Sequence, residues 1–264
     1  RLIPDTPILA LTASATPQVA KDIMEQLEFA EPNILQTSFL RPNLSYSVRE
    51  TDDKEGQLLR IINNVPGCGI VYVRMRSTAK RVANFLIEQG YSASFYHGGL
   101  PNAERAMRQD EWVSGQTRIM VATNAFGMGI DKRDVRFVVH YTMSDSLESY
   151  YQEAGRAGRD GMSAECVILY SPQDVHINKY LIENRGENSE LTEEQAELVL
   201  KNDRERLWAM AGYCKTNHCL REYILRYFGT SRWQDISGKY CGNCSVCVSA
   251  AKGYDYDSYG QGSL

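Results

Sequence analysis

From residue 55 to residue 170 the chain alternates short apolar runs with amphipathic segments about ten residues long, and few folds accommodate that rhythm. The spacing predicts helices over 55–63, 77–89, 102–113 and 146–154, and strands over 70–73, 93–96, 119–122, 136–140 and 164–170. Gly90 stands as a stop after the second helix. Apolar strands of four to seven residues separated by helices require parallel pairing, because each crossover returns the chain to the same end of the sheet. A parallel sheet must be covered on both faces, so the expected fold is α/β with helices on either side. Ligands are then expected where loops leave the carboxyl ends of the strands.

The flanking regions differ. Residues 7–16 read as a buried strand entering a hydroxyl-rich turn, and a helix is predicted over 18–27, just after Pro17. Pro32, Asn33, Pro42 and Asn43 mark a loop or linker. Six glutamates between Glu183 and Glu197 make an acidic connection, read as solvated helix surface. Residues 201–240 then carry eight basic against four acidic side chains, or +4. Residues 253–264 are poor in aliphatics and read as a disordered tail or linker. The expected organisation is therefore a leading segment over 1–45, an α/β lobe over 46–182, a small module over 183–250 and a tail over 251–264.

Composition excludes several classes. With 43% hydrophobic and 23% charged residues among 264, the chain is neither disordered nor collagenous. No apolar run approaches the ~18 residues of a membrane helix, so no membrane partner is expected. The chain opens Arg1-Leu2-Ile3-Pro4 without a signal peptide, which suggests a piece of a longer, cytoplasmic protein, nucleoid-associated if the source is bacterial. The net charge of −4 argues weakly against bulk electrostatic binding to nucleic acid, although an average hides local patches.

The seven cysteines fall into two groups. Cys68 and Cys166 stand alone in apolar surroundings and read as buried small hydrophobes. The other five lie between Cys214 and Cys247 and end in Cys241-Gly-Asn-Cys244-Ser-Val-Cys247. Two-residue gaps let thiolates of one tight turn reach a common ion, and zinc takes four such ligands. Cys214, Cys219 and His218 compete for the fourth place. The stretch from Cys219 to Gly229 has helical phase, with Cys219, Tyr223 and Tyr227 on one stripe and Leu220, Ile224 and Phe228 beside it. Cys219 thus begins a helix on its buried side and is the expected fourth ligand to a structural zinc, with Cys214 a core thiol.

Three loops carry the remaining chemistry. In Gln152-Glu-Ala-Gly155-Arg156-Ala-Gly158-Arg159-Asp-Gly161 the two arginines are three residues apart and point the same way on a helical turn. Two guanidiniums on one face suit a triphosphate, whose charge spreads as the terminal group transfers. Ala122-Thr123-Asn-Ala-Phe-Gly127-Met-Gly129-Ile-Asp131 leaves a strand and offers backbone N–H groups and a hydroxyl to an anion. Tyr96-His97-Gly98-Gly99-Leu100 also leaves a strand, and no Ser or Cys partner suggests nucleophilic chemistry for His97.

Together with Leu11-Thr12-Ala-Ser14-Ala-Thr16, these segments resemble superfamily-two helicase motifs in RecQ form, and the cysteine cluster resembles the RecQ zinc-binding module. The resemblance covers residues 7–248. It implies a RecA-like sheet followed by a mainly helical zinc module. It implies that Arg156 and Arg159 are the motif VI arginines, Arg159 the arginine finger, and Gln152 a coupling residue. Thr12, Ser14 and Thr16 match motif III, which links nucleotide state to DNA. Thr123, Gly127, Gly129 and Asp131 match motif V, expected to touch DNA phosphates; His97 joins this coupling group. Cys219, Cys241, Cys244 and Cys247 match the zinc ligands. Val73-Arg74-Met75-Arg76 departs from the small polar pair that the family places before an arginine, so Arg76 is carried over and Arg74 is not.

The chain contains no G-x-x-x-x-G-K-[ST] loop and no acidic box before motif III. Taken alone it is expected neither to hydrolyse ATP nor to unwind DNA. The resemblance implies a parent that is an ATP-dependent 3′–5′ DNA helicase of repair and recombination. Its ligands would be ATP, Mg2+ and single-stranded and duplex DNA, and a first RecA-like lobe would face this one. The rival readings are a non-catalytic nucleic-acid-binding zinc module and an RNA helicase of the same superfamily.

Overall fold

The computed structural model describes residues 8–29, 31, 33–127, 130–184, 192–230 and 241–251. Six strands, β1 Leu44–Glu50, β2 Cys68–Tyr72, β3 Ala93–Tyr96, β4 Ile119–Ala122, β5 Val135–His140 and β6 Ala164–Tyr170, form one sheet. Their spatial order is β1-β6-β5-β2-β4-β3 and every pair is parallel. Helices α1 Pro17–Gln26, α2 Lys54–Asn64, α3 Arg76–Glu88, α4 Asn102–Val113 and α5 Leu147–Ala154 accompany it. Beyond the last strand come α6 Pro172–Glu183, α7 Glu193–Lys215, α8 Leu220–Tyr227 and α9 Ser245–Ala251.

Strand alternation divides the core, since successive side chains point to opposite faces. Val71, Val121, Phe137, Val139, Val167 and Leu169 face α2 and α3, where Leu58, Ile61, Val82 and Leu86 are buried. Ile70, Met120, Val138, Cys166 and Ile168 face the other way, toward Trp112 of α4 and Tyr150 of α5. Leu207 and Tyr213 of α7 and Phe228 beyond α8 lie in this same cluster. Among the described residues the helical module therefore has no separate core. It continues one face of the sheet, so a cut near residue 183 divides the sequence but not the packing.

Two expectations are corrected. Residues 8–12 form no strand; Leu9 and Leu11 are 80% and 84% exposed, and no sheet neighbour among the described residues receives them. β1 begins at Leu44 as an edge strand of the sheet. Cys68 is only half-buried, its thiol 3.4 Å from the carbonyl of Asp134. Cys166 is fully buried, and burial pushes its thiol pKa up to about 12. Residues 253–264 lie outside the described residues.

Candidate nucleotide-coupling site and metal centre

The turn after α5 carries both Arg156 and Arg159. It precedes β6, so it lies at the amino edge of the sheet and not at the carboxyl edge where ligands were expected. Gly158 N donates to the carbonyl of Val135 (2.9 Å) and Asp160 N to that of Arg133 (3.2 Å), which pins the turn to the start of β5. The loop after β4 runs down to meet it. Arg156 Nη1 donates to the carbonyl of Gly127, and Arg159 Nη1 to that of Ile130 at 3.0 Å. Arg159 also lies 3.6 Å from Asp131 Oδ1, an exposed carboxylate. Both guanidiniums thus face one loop, as their spacing predicted.

Gly127 explains the close approach. Its φ is +122°, and a Cβ there would stand 2.2 Å from the Arg156 guanidinium carbon. Only glycine accepts both that backbone conformation and that neighbour. Gly158 (φ +55°) is similar, because a Cβ would meet Asn43 Nδ2 at 2.5 Å.

Gln152, one turn before Arg156, donates from Nε2 to Ser14 Oγ. This ties the end of α5 to the hydroxyl-rich turn before α1. Within that turn Ser14 N donates to Thr12 Oγ1 (3.4 Å), while Thr16 caps α1 by accepting from Val19 N (3.3 Å). Ser14 is buried and Thr12 exposed.

The four sulfurs of Cys219, Cys241, Cys244 and Cys247 lie within 4.8 Å of one another. Tetrahedral zinc with Zn–S near ~2.3 Å sets sulfurs about 3.8 Å apart, so this donor set fits the ion in number, chemistry and spacing. Cys219 caps α8, Cys247 sits within α9, and Cys247 N donates to Cys244 Sγ at 3.5 Å. The Cys219 and Cys244 thiols beside Cys241 hold it well below the usual thiol range, and Cys219 is raised in return. Cys214 is buried outside the cluster and His218 is exposed, so neither takes the fourth place.

The family model described as helicase conserved C-terminal domain matches residues 53–161, and that described as RecQ zinc-binding matches residues 172–248. An ATP-dependent DNA helicase RecQ of Bacillus subtilis (strain 168) is 44% identical over 239 residues, covering 90% of this chain and 39% of the relative. One of Pasteurella multocida (strain Pm70) is 38% identical over 254 residues, 96% of this chain and 38% of the relative. The RecQ-like DNA helicase BLM of Xenopus laevis is 35% identical over 249 residues, 90% of this chain and 18% of the relative. The chain belongs to the RecQ helicase family. Its fold is accordingly a RecA-like α/β sheet joined to a zinc module, and structural zinc is its metal. The chain spans about two fifths of the length of the two bacterial relatives.

Arg76, His97 and Thr123 lie at the carboxyl edge of the sheet. Arg76 opens α3 after β2, and a Cβ on Gly99 would stand 2.7 Å from its Nη1 and 3.4 Å from His97 Nδ1, so Arg76 and His97 border the same turn. Desolvation and the Arg76 charge both lower the His97 pKa. Thr123 is buried at the same carboxyl edge, its N–H donated to Tyr96 O at 3.1 Å. Gly129 lies outside the described residues. Arg74 pairs with Asp145 at 3.0 Å and is anchored within the lobe.

Among the described residues of the basic stretch over 201–240, several arginines have acidic partners. Arg204 pairs with Glu183 (2.7 Å), Arg206 faces Asp203 and Glu148 (3.5 and 3.9 Å), and Arg226 pairs with Glu222. Arg221 is 3% exposed, while Arg232 and Lys239 lie outside the described residues. Two neutralising acids, Glu148 and Glu183, come from outside the window, which a local count cannot include.

Sequence reasoning missed β1, α6 and two arginines, Arg41 and Arg221. Leu44, Tyr46 and Val48 are buried alternately, a period-two signal that was present in the linker. Ser171-Pro172 with Asp174 three residues on is a helix-start signal for α6, and Ser171 N donates to Asp174 Oδ2 at 3.2 Å. Nothing local marks Arg41 or Arg221.

Proposed function

We propose that this chain is the second motor lobe and zinc module of an ATP-dependent 3′–5′ DNA helicase acting in repair and recombination, on the nucleoid if the source is bacterial. Residues 1–45 would be the end of the first lobe and the linker, 46–182 the second lobe, 183–250 the zinc module and 251–264 a tail. Carrying this reading is the joint placement of Arg156 and Arg159 on the motif V loop while Gln152 of the same helix end reaches Ser14 of motif III. One turn thereby touches the segment preceding the linker and the loop assigned to DNA phosphates.

ATP with Mg2+ would bind between this lobe and the first, the metal neutralising phosphate charge. Closure would move Arg156 and Arg159 from the Gly127 and Ile130 carbonyls to the phosphates, a stronger charge-assisted pairing. That exchange would release the motif V loop, and with it Thr123 and Asp131, to change its grip on a DNA strand. Arg159→Ala in the full-length protein tests this directly. DNA-stimulated ATPase should fall by about 10³-fold; activity within about tenfold of wild type overturns the assignment. Unwinding that requires an RNA loading strand would favour an RNA helicase.

A further inference from the structure

Three backbone carbonyls converge on one side chain that no motif contains. Arg41 Nη1 donates to the carbonyl of Gly155 (3.2 Å), and its Nη2 donates to those of Ala157 (3.0 Å) and Gly158 (3.3 Å). These carbonyls belong to the turn between α5 and β6, and Arg156 and Arg159 project from that turn. A helix end leaves carbonyls without intrahelical partners, and they carry partial negative charge. Arg41 makes no ion pair among the described residues, so these carbonyls are the partners its charge has there.

The backbone of Arg41 is held in turn. Arg221, buried in the zinc module next to the ligand Cys219, donates to the carbonyls of Arg41 (2.5 Å) and Leu44 (2.6 Å), with its guanidinium 5.2 Å from the centre of the Tyr46 ring. Phe39 stacks on Phe228 at 4.5 Å and meets Tyr151 edge-on at 5.5 Å, and Tyr151 Oη donates to the Phe39 carbonyl at 3.0 Å. The segment 39–44 is thus clasped between α5 on one side and the zinc module on the other.

We infer that Arg41 is a positioning residue for the motif VI arginines, and that Arg221 holds it in place from the zinc module. A planar fork with two donating nitrogens reaches all three carbonyls, whereas a lysine ammonium is a point charge on a flexible stem and cannot span them. The zinc module therefore supports the catalytic turn mechanically through two arginines, in addition to packing on the sheet. This inference rests on the reading of Arg156 and Arg159 as phosphate-contacting residues.

The test uses the full-length protein carrying Arg41→Lys, Arg159→Ala, or both. Arg41→Lys should lower kcat of the DNA-stimulated ATPase by about tenfold while KM for ATP stays within about threefold, with one zinc retained per chain. The double variant should lose less than the product of the two single losses, because Arg41 acts through the turn that carries Arg159. Arg221→Lys should give the same kcat loss in smaller measure. A kcat within about twofold of wild type for Arg41→Lys, or losses that multiply in the double variant, overturns the inference. If Arg41→Lys loses zinc, Arg41→Gln replaces it with the same outcomes. A wild-type protein without DNA-stimulated ATPase, or an active Arg159→Ala, would instead sink the functional reading; an inactive Arg159→Ala beside a fully active Arg41→Lys sinks this inference alone.

Discussion

Gln152 and Ser14 are joined by a hydrogen bond across 138 residues of sequence, from the last turn of α5 to the turn that precedes α1. This bond therefore reports how the segment preceding α1 sits against the end of α5. In the full-length protein, Gln152→Ala and Ser14→Ala should each reduce DNA-stimulated ATPase, and the double variant should lose less than the sum of the two. A coupling of about 1 kcal/mol is expected for one neutral hydrogen bond. Strictly additive losses would show that the bond plays no part in turnover.

Zinc should be found at one equivalent per chain. Cys219→Ser should abolish it and Cys214→Ser should leave it, as elemental analysis of the purified variants will read. The cluster also protects an edge. Tyr46 N donates to Asn243 O and Val48 N to Ser245 Oγ, both at 3.4 Å, so the cysteine-bearing segment occupies outward-facing donors of β1. An uncovered edge strand offers unpaired donors to other chains. Chelation should therefore raise hydrogen exchange at Tyr46 and Val48 and promote aggregation, whereas unchanged protection there would refute the covering role.

Gly127→Ala should destabilise the protein by about 1–3 kcal/mol through backbone strain and the clash with Arg156. Gly115→Ala is the control. Its φ of +84° imposes a backbone cost, but a Cβ there meets nothing within 4 Å. In urea denaturation Gly127→Ala should be the more damaging of the two; equal losses would remove the steric argument for Gly127.

His97 should titrate below 6.5 in NMR spectra, since desolvation and then the Arg76 charge disfavour its protonated form. Arg76→Gln should move its pKa upward. The sign for stability follows. With the folded pKa depressed, the unfolded chain binds more protons near and below 6.5, so the contribution of His97 is present above that pH and is lost as pH falls. A His97 pKa unmoved by Arg76→Gln would separate the two side chains electrostatically.

Much of the fold was legible because the signals are local. Strands 93–96, 119–122 and 164–170 and helix 102–113 have the observed bounds, each a run whose period matches its own element. The strand expected over residues 7–16 failed for the complementary reason: apolar content marks a segment that needs burial, but whether a neighbour receives it is not encoded in the segment. Leu9 and Leu11 remain exposed. A charge count over residues 201–240 likewise omits partners that the fold supplies, since Glu183 pairs with Arg204 and Glu148 approaches Arg206.

The sequence by itself determined the alternating elements, the cysteine quartet and the two-arginine turn, because helical period, strand period and short spacings are properties of neighbouring residues. Tertiary structure decided that the arginine turn is pinned to the start of β5 at the amino edge of the sheet. It also decided that Arg41 and Arg221 reach carbonyls 114 and 180 residues away. Backbone carbonyls are identical at every position. Only the folded chain specifies which of them converge on a guanidinium.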